Sequence, residues 1–469
     1  MPEQKNIDGD AVPRQNPLGG LNRREFMAAA GTVLTSSLFT GNIKGANDRV
    51  TAGFIGVGKQ GMTDFQGAIA DGVEPIAFCD VYQPTLEASV AAAAKAGKSV
   101  KAVKDFRDVL ADKSIDFVCI ATPDHWHAYM MIEACKAGKD VYVEKPVATT
   151  VDESRKMVEA ARKYKRAVQV GTMRRSWDHS RQACDLVRSG GLGQVTFART
   201  WSYGLEPPES LGNPPNGNPP PGLDWDMWLG PAPMRPFNQN RFGVRPGKGW
   251  SSFRFFWDYA GGQLTDVCMH VLDLVHMAMG EPVPIAVTGI GTKQYIKDNR
   301  ETPDTQLVTL QYPGFISASE VRFGNAQTLM PERPMAGGMG FSIHGDKATL
   351  QWDMAGYRVI PEGKPYSSVI SGPPTGPMGE PPKVTIVDGD PRTQKVTHWR
   401  NFLDCIKSRE RPIADIEYGA RSTIACLLGN IATRAKIRID YDDKTGTALQ
   451  KEARRFMSHE YRKPWKLEV

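Results

Sequence analysis

Asp266 and His270 stand four residues apart in the segment "GGQLTDVCMHVLDLVHMAMG" and could act together in proton transfer. The apolar spacing predicts an α-helix that places both side chains on one face, with Asp273 three residues further on. A carboxylate at that distance can fix the tautomer of an imidazole and stabilise its charged form, as a general base requires. A solvated salt link has the same pattern, so the two residues alone leave both interpretations open.

Lys145 follows an apolar run in "DVYVEKPVATT", where a strand that should be buried ends in Glu144, Lys145 and Pro146. Polar side chains at the carboxyl end of a parallel strand face a ligand crevice instead of a core. Lys145 can therefore donate a hydrogen bond to a substrate oxygen. For a proton relay, its pKa would have to be lowered by burial or by nearby charge.

Three glycines follow the first apolar strand, with the G-x-G-x-x-G spacing of Gly56, Gly58 and Gly61. The first allows a tight strand-to-helix turn, the second lets backbone amides approach a pyrophosphate, and the third lets helix and strand pack closely. The next strand ends in Asp80, about 20 residues on, where a carboxylate accepts hydrogen bonds from a ribose 2′-hydroxyl and repels a 2′-phosphate. The pattern predicts NAD rather than NADP, with a cofactor-free glycine turn as the alternative.

The fourth predicted strand runs into "ATPDHWH" at the same edge of the sheet. Pro123 ends the strand, and His125 and His127 stand at the start of the next helix. His127 could hydrogen-bond the nicotinamide ribose, although a histidine at a helix start is about as often a cap or a surface residue.

Strands and helices alternate from Val50 to about Gly171. Such alternation predicts a parallel sheet covered by helices on both faces. Thr150 and Glu153 form a capping-box pattern at one helix start. After Gly190 the strands become longer and alternate between apolar and polar residues, which predicts an antiparallel sheet with one packed face. The fold class is therefore α/β, with a doubly wound parallel sheet followed by a second domain.

We expect four segments along the chain. Residues 1–47 form an export signal or a disordered segment, and residues 48–172 form the NAD-binding domain. Residues 173–435 form a C-terminal α/β domain for substrate binding and oligomerisation, and residues 436–469 form a charged tail. The prolines and glycines of residues 206–222 forbid regular structure and predict a loop or semi-rigid arm, with a disordered insertion as the alternative.

The 469 residues carry a net charge of +6, and no basic run is interleaved with aromatic residues, so nucleic acid is not an expected partner. A hydrophobic fraction of 41% without a run of membrane-spanning length indicates a globular chain with no membrane anchor. The seven cysteines are widely spaced and odd in number. We therefore expect free thiols, and neither a disulfide framework nor a metal site.

The N-terminal segment "LNRREFMAAAGTVLTSSLFTG" contains the pair Arg23 and Arg24 ahead of a short, mildly apolar stretch. This is the outline of a twin-arginine export signal, from whose consensus Asn22 and Met27 depart. We expect export to the periplasm in folded form, which would reconcile free thiols with an oxidising compartment. A disordered basic tail on a cytoplasmic protein is the alternative.

The glycine motif, "TPDHWH", "EKP", "VGTMRRS" and "LTDVCMHVLD" together resemble the glucose-fructose oxidoreductase / inositol dehydrogenase / rhizopine catabolism (Gfo/Idh/MocA) family, over nearly all of residues 48–435. The resemblance implies a Rossmann domain followed by an α/β domain with a large, mostly antiparallel sheet, usually in a homodimer or homotetramer. It also implies a cis peptide bond before Pro146, a contact of Glu144 with the cofactor ribose, and a place for Arg174 in the substrate site.

The resulting hypothesis is an NAD(P)-dependent dehydrogenase acting on CH–OH groups, which transfers a hydride between a sugar, sugar derivative or cyclitol and nicotinamide. His270, oriented by Asp266, takes the hydroxyl proton, and Lys145 hydrogen-bonds the same oxygen. Arg174 and Asp273 bind the substrate together with His270. The expected cofactor-binding residues are Gly56, Gly58, Lys59, Gln60, Gly61, Asp80, Thr122, Pro123, His125, His127, Glu144 and Lys145.

Two other functions compete with this one. The same superfamily contains redox-assisted glycosidases, in which tightly held NAD oxidises a sugar carbon transiently, permits elimination and is regenerated without net redox change. The sequence around the catalytic helix favours the dehydrogenase. A non-catalytic NAD-binding regulator is disfavoured because Lys145, Asp266 and His270 are all present.

Overall fold

The computed structural model describes residues 49–243, 250–327, 338–363, 383–390 and 392–469. The predicted twin-arginine segment lies outside the described residues.

A parallel sheet forms the N-terminal half of the described chain. Its strands are β1 (Thr51–Ile55), β2 (Glu74–Cys79), β3 (Lys101–Val103), β4 (Phe117–Ile120), β5 (Asp140–Val143) and β6 (Val168–Val170). The intervening helices are α1 (Lys59–Ala70), α2 (Gln83–Lys95), α3 (Phe106–Ala111), α4 (Asp124–Lys136) and α5 (Val151–Lys163). The strand order β3–β2–β1–β4–β5–β6 reverses between β1 and β4, which opens a ligand crevice at the carboxyl ends of these strands.

The predicted capping box is present at the start of α5. The Thr150 hydroxyl accepts a hydrogen bond from the Glu153 backbone N–H at 3.2 Å, and the Glu153 carboxylate accepts one from the Thr150 N–H at 2.9 Å. These bonds satisfy two backbone donors at the helix start and so fix where α5 begins.

The second half of the described chain contributes the remaining strands. They are β7 (Val195–Tyr203), β8 (Asn216–Gly217), β9 (Phe237–Asn238), β10 (Ala286–Thr292), β11 (Thr305–Tyr312), β12 (Phe315–Arg322), β13 (Met339–Gly345), β14 (Ala348–Asp353), β15 (Gly356–Pro361), β16 (Thr385–Asp388), β17 (Ile439–Asp442) and β18 (Thr447–Ala448). All of them except the β8–β9 pair join one sheet in the order β16–β15–β14–β13–β7–β12–β11–β10–β17–β18. Only β7 and β12 pair in parallel among these described strands. The Rossmann sheet and this mostly antiparallel sheet confirm the predicted fold class.

The helical elements of this half vary in length. They are a 3-10 turn (Met173–Ser176), α6 (Asp178–Arg188), α7 (Trp225–Leu229), α8 (Gln239–Phe242), a second 3-10 turn (Ser252–Phe255), a π-helical turn (Leu264–Cys268), α9 (Met269–Ala278), α10 (His398–Ser408), α11 (Ile416–Ala435) and α12 (Lys451–Arg454). Every residue of α9 is buried, and α11 contributes to the cores of both domains through Leu428 on one side and Ala420 on the other. Helix α11 therefore ties the second domain to the Rossmann domain.

The segment that follows the proline-rich stretch returns to the Rossmann domain. Leu223 forms a β-bridge with Tyr82, and the backbone N–H of Asp224 donates to the carbonyl of Val81 at 3.0 Å. The rings of Tyr82 and Phe242 meet edge to face, with centroids 5.3 Å apart. The structure thus places this part of the chain beside the end of β2, at the edge of the crevice.

The segment expected as a charged tail is instead integrated into the fold. Strands β17 and β18 extend the large sheet, and the chain then crosses to the Rossmann domain. There the Trp465 ring lies 4.8 Å from that of Trp126, and Arg462 donates to the Gly230 carbonyl at 2.9 Å. The segment was expected to be a tail because many of its residues are charged. Its aromatic residues nevertheless pack against the Rossmann domain.

All seven cysteines are buried and free, as predicted. Among the described residues, no group of His, Cys, Asp and Glu side chains could hold a metal ion. No helix in the described ranges combines the length and apolar character needed to cross a membrane.

Candidate active site

The glycine-rich turn between β1 and α1 has little room for side chains at two positions and ample room at the third. Gly56 has φ +82°, and a Cβ there would lie 2.8 Å from the backbone of Ala121. A Cβ on Gly61 would lie 1.9 Å from the Gly56 carbonyl oxygen, whereas one on Gly58 would meet nothing within 4 Å. Because Gly58 precedes α1 without a side-chain cap, the first N–H groups of the helix are available to an anion.

Asp80 lies at the end of β2, next to this turn. One carboxylate oxygen accepts a hydrogen bond from the Val57 N–H at 3.1 Å, and the other accepts one from the Tyr82 N–H at 2.9 Å. Burial raises the pKa of Asp80 to about 6, although these hydrogen bonds lower it. Each oxygen can accept a further bond, which suits ribose hydroxyl groups.

A cavity of about 900 Å³ lies at this edge of the sheet. Of the predicted cofactor-binding residues, those that line it are Gly56, Gly58, Lys59, Gln60, Asp80, Thr122 and Pro123. The second domain contributes Trp228, Phe242, Trp250, Phe253 and Arg254 to the lining. The other predicted cofactor residues do not line it: Gly61, His125, His127, Glu144 and Lys145.

The two histidines of "DHWH" bond to the protein itself. The His127 Nδ1 lies 2.8 Å from the Pro146 carbonyl oxygen, and its Nε2 lies 2.9 Å from that of Thr122. The His125 Nε2 lies 3.0 Å from the Trp228 carbonyl oxygen. Burial lowers the pKa of His127 to about 4 and that of His125 to about 3. Because both ring nitrogens of His127 face backbone carbonyls, it joins two loops of the crevice instead of reaching a ribose.

Lys145 and Asp266 form an ion pair between the two domains. The Lys145 Nζ lies 2.6 Å from Oδ1 of Asp266 and 3.0 Å from its carbonyl oxygen, and the Arg254 Nε lies 3.1 Å from the same Oδ1. Burial raises the pKa of Asp266, but Lys145 and Arg254 outweigh burial and hold that pKa well below its usual range. The peptide bond between Lys145 and Pro146 is cis, as the resemblance implied. Arg254 also lines the cavity, so the Lys145–Asp266 pair lies at the edge of the cavity.

The prediction that Asp266 orients His270 is wrong in this structure. Residues Leu264–Cys268 form a π-helical turn, whose i→i+5 hydrogen bonds insert one extra residue into the turn. The insertion rotates Asp266 away from the position that a continuous α-helix would give it, and its carboxylate binds Lys145 and Arg254. Nδ1 of His270 is buried and has no hydrogen-bond partner in the described part of the chain.

His270 nevertheless shares its surroundings with Lys145. The imidazole is 8% exposed, and burial, followed by the positive charges of Arg174 and Lys145, lowers its pKa well below the ordinary value. His270 is therefore neutral at pH 7, which is the form that accepts a proton. Of the three predicted catalytic residues, Asp266 pairs with Lys145 and not, as predicted, with His270.

Asp273, predicted to bind substrate, is a buried ion-pair partner instead. The Arg175 Nε lies 2.7 Å from its Oδ2, the Arg175 Nη2 lies 2.8 Å from its Oδ1, and the Ser422 hydroxyl donates to Oδ1 at 2.9 Å. The Arg175 Nη1 also reaches Glu281 at 2.6 Å. Since this side chain is turned towards Arg175 and α11 and is almost fully buried, Asp273 is not placed to contact a substrate.

Arg174 stands beside Arg175 in the same 3-10 turn but has no such partners. Its side chain is 9% exposed, and its Nε has no hydrogen-bond partner among the described residues. Its Nη2 contacts the Met339 sulfur at 3.4 Å, and its guanidinium lies 5.4 Å from the Trp177 ring centroid. Burial lowers the pKa of Arg174 to about 10.

Glu144 lies under the glycine turn. Its Oε1 accepts a hydrogen bond from the Gln60 amide and its Oε2 one from the Lys145 N–H, both at 3.2 Å. The Gln60 amide also donates to Asp64 at 3.0 Å. Burial raises the pKa of Glu144 to about 7 and that of Asp64 well above its usual value. A contact of Glu144 with the cofactor ribose stays a prediction.

Two charged residues of this site were not predicted from the sequence. Arg254 binds Asp266 and lines the cavity. Asp124 opens α4, and its buried Oδ2 has no hydrogen-bond partner among the described residues. Burial raises the pKa of Asp124 to about 7, while Arg254 lowers it. A carboxylate inside "TPDHWH" and an arginine inside "FRFFWDY" were visible signals, but their separation in the sequence does not reveal that the charge of Arg254 acts on Asp124.

Comparison with known proteins accounts for both domains. The family model described as oxidoreductase family, NAD-binding Rossmann fold, matches residues 50–172. The one described as oxidoreductase family, C-terminal alpha/beta domain, matches residues 209–303. These matches confirm the family resemblance stated from the sequence and NAD as the cofactor.

Among curated proteins, a glycosyl hydrolase family 109 protein of Shewanella sp. (strain W3-18-1) is 32% identical in an alignment 207 positions long, which covers 37% of this chain and 44% of that relative. The glycosyl hydrolase family 109 protein of Shewanella putrefaciens is 31% identical, and that alignment also covers 37% of this chain and 44% of the relative. This chain therefore covers less than half the length of the curated relatives it matches.

Among solved structures, the WlbA dehydrogenase from Bordetella pertussis, in complex with NADH and UDP-GlcNAcA, has a TM-score of 0.58 at 18% identity. A levoglucosan dehydrogenase in complex with NADH and levoglucosan has a TM-score of 0.60 at 16% identity. Each alignment covers 84% of this chain and 99% of the other. At these identities the likeness shows the fold alone.

Proposed function

We propose that this chain, a member of the Gfo/Idh/MocA family of NAD-binding oxidoreductases, is a dehydrogenase that acts on a hydroxyl-bearing carbon of a sugar, sugar derivative or cyclitol. The observation that carries this proposal is the cluster of Lys145, Asp266 and Arg254 at the edge of a cavity lined by the glycine turn and Asp80. The named ligands of two structural neighbours, UDP-GlcNAcA and levoglucosan, support the substrate class.

NAD fits the residues of this cavity. The open space at Gly58 and the uncapped start of α1 would hold the pyrophosphate, and Asp80 would accept hydrogen bonds from the adenosine ribose. When bound, NAD supplies a carbon that accepts the hydride.

Three side chains of the site have separate roles in binding the substrate and in transferring its proton. Lys145, held in place by its ion pair with Asp266, donates a hydrogen bond to the reacting oxygen of the substrate. His270 accepts the hydroxyl proton, because its buried imidazole is neutral and its Nδ1 has no partner among the described residues. Arg254 binds the same carboxylate oxygen of Asp266 and lines the cavity.

An assay with NAD and a panel of sugars, cyclitols and aryl glycosides tests the proposal. We expect at least one sugar or cyclitol to produce NADH, followed by absorbance at 340 nm. If no member of the panel yields NADH while an aryl glycoside is cleaved, the dehydrogenase proposal is wrong and the alternative below replaces it.

The alternative is an NAD-dependent, redox-assisted glycoside hydrolase. It is supported by the glycosyl hydrolase family 109 relatives, although they align with only 37% of this chain. In that reaction a sugar carbon is oxidised transiently, the leaving group is eliminated, and the cofactor returns to its starting state. Release of a chromophoric aglycone without accumulation of NADH is the expected sign.

We also propose a homo-oligomer that associates through the large sheet. The side chains of Ile290 on β10 and Leu307 on β11 are cross-strand neighbours, and they are 82% and 48% exposed. Exposed apolar neighbours on one face of a sheet support a protein contact there. Light scattering after size-exclusion chromatography should give a dimer or tetramer, and Ile290→Glu with Leu307→Glu should shift it to smaller species.

Export through the twin-arginine pathway stays a proposal that rests on Arg23 and Arg24. A reporter fused to residues 1–47 should reach the periplasm of a twin-arginine-competent host. The variant with both arginines replaced by lysine should stay in the cytoplasm, and equal export of both fusions would remove the proposal.

A further inference from the structure

Arg174 is a buried cation for which the described residues provide no counterion. Its guanidinium has an aromatic neighbour in Trp177 and a sulfur neighbour in Met339, and its Nε bonds to nothing described. Neither neighbour carries a negative charge. Burial of an ionised group without a hydrogen-bonded partner is strongly unfavourable, which makes Arg174 a candidate binding site for an anionic group.

The neighbouring carboxylates are already engaged. Asp266 binds Lys145 and Arg254, and both oxygens of Glu144 accept hydrogen bonds, from Gln60 and from the Lys145 backbone. Rearrangement of either towards Arg174 would break contacts that hold the active site together. The missing negative charge is therefore expected from outside the protein.

Arg174 lies in the 3-10 turn that Arg175 joins, through Asp273, to α9, and α9 also carries His270. Arg174 is the charge that acts most strongly on His270, and the charges of Glu144 and Asp266 act on it in turn. The Arg174 Nε and the His270 Nδ1 are both buried and have no hydrogen-bond partner in the described part of the chain. A group bound to Arg174 would be part of the same molecule whose hydroxyl His270 contacts.

We propose that the substrate carries a carboxylate that binds Arg174, so that it is a sugar acid rather than a neutral sugar or cyclitol. This inference rests on the proposed function and narrows its substrate class. A guanidinium matches a carboxylate with two parallel hydrogen bonds, and one carboxylate balances the single charge of Arg174. The same negative charge makes the imidazolium of His270 less unfavourable, so the correct substrate strengthens the base that receives its proton.

Binding to the NADH complex of the full chain tests the proposal directly. D-glucuronate and D-glucose differ by the carboxylate alone, and their affinities can be compared by calorimetry or by the fluorescence of bound NADH. We expect glucuronate to bind at least about 30-fold more tightly than glucose, as is usual when one partner of a buried charge pair is removed. D-glucose 6-phosphate is the third probe, and it should bind less tightly than glucuronate.

Two variants of Arg174 and one control variant test whether Arg174 causes the preference for glucuronate. Arg174→Met should bind both sugars equally, and Arg174→Lys should restore part of the preference because lysine keeps the charge but not the fork. Arg392→Met, at a position whose side chain is 90% exposed, is the control and should behave as the natural chain does. Unchanged NADH affinity shows that each variant is folded.

The outcomes separate this inference from the proposed function. Equal binding of glucuronate and glucose, a preference that survives in Arg174→Met, tighter binding of the phosphate, or no binding of glucuronate would each overturn the inference. NADH formation from neutral sugars would then still support the dehydrogenase. Conversely, Arg174-dependent binding of glucuronate without NADH formation from any sugar or sugar acid supports the inference and removes the dehydrogenase.

Discussion

Arg174 and Arg175 are adjacent in the chain and both buried, yet one belongs to an open cluster of charges and the other to a closed one. In the closed cluster, Arg175 binds Asp273 with two hydrogen bonds and reaches Glu281, and Ser422 adds a further bond to Asp273. In the open cluster, Arg174 and His270 keep buried nitrogens without partners in the described chain, beside the Lys145–Asp266 pair.

The difference separates a stabilising role from a functional one. Every charge of the closed cluster finds its partner inside the protein, and the cluster fastens the 3-10 turn to α9 and α11. The open cluster leaves polar atoms for a ligand and borders the cavity through Arg254. Changes in the closed cluster should therefore lower stability, and changes in the open cluster should lower activity.

Lys145→Met gives the largest expected effect. Loss of the hydrogen-bond donor to the substrate oxygen should lower kcat by about 100-fold to 10,000-fold, as is typical for a group that assists proton transfer. NADH affinity should change little, and because Arg254 still pairs with Asp266, the urea midpoint should fall less than in Arg175→Met, described next. Lys156→Met is the control, because it breaks an exposed pair with Asp152. Normal turnover by Lys145→Met would show that the open cluster is not the active site.

Arg175→Met should lower the free energy of unfolding by about 3–5 kcal/mol, because it leaves the buried Asp273 carboxylate without its counterion. Urea denaturation followed by circular dichroism measures this change. Arg188→Met removes a half-exposed pair with Asp185 and should change the same quantity by less than about 1 kcal/mol. Similar losses in the two variants would mean that the closed cluster does not stabilise the fold.

Asp80 lines the cofactor end of the cavity, and its charge should depend on pH. Its pKa of about 6 means that the carboxylate gains a proton as the pH falls through that value. Since the ionised form accepts ribose hydroxyls and repels a 2′-phosphate, NAD affinity and the preference for NAD over NADP should both fall below about pH 6.

The variant Asp80→Asn controls for titration of the 2′-phosphate itself. Its ratio of NADP to NAD dissociation constants should be at least about tenfold lower than that of the natural chain above pH 7, and the two ratios should converge near pH 5. Fluorescence titration at several pH values gives these ratios. A preference for NAD that is the same with and without the carboxylate would exclude Asp80 as its cause.

Arg174→Met should have the smallest effect on stability. Because it removes a buried charge that has no described counterion, the free energy of unfolding should stay constant or rise by up to about 1 kcal/mol. The same urea experiment applies. A loss as large as that of Arg175→Met would erase the distinction between the two clusters and show that Arg174 has a structural partner.

Much of the cofactor end could be predicted because its signals are local. A glycine spacing, a strand end and a capping box each lie within a few residues and follow from backbone geometry. The substrate end could not be predicted in the same way. Asp266 and His270 have a helical spacing, but a π-helical turn includes Asp266 and changes which side chains meet. The spacing of the residues alone does not predict that turn.

The amino-acid sequence by itself determined the α/β class, the NAD-binding turn and the presence of Lys145, Asp266 and His270, because these depend on local patterns and residue chemistry. Only the tertiary structure decided how the charges pair. Arg254 reaches Asp266 and Asp273 reaches Arg175 through contacts between distant elements, and two adjacent arginines differ because one faces a carboxylate and the other does not. Pairing depends on which side chains the fold brings within a few ångströms, and that is a property of packing between elements.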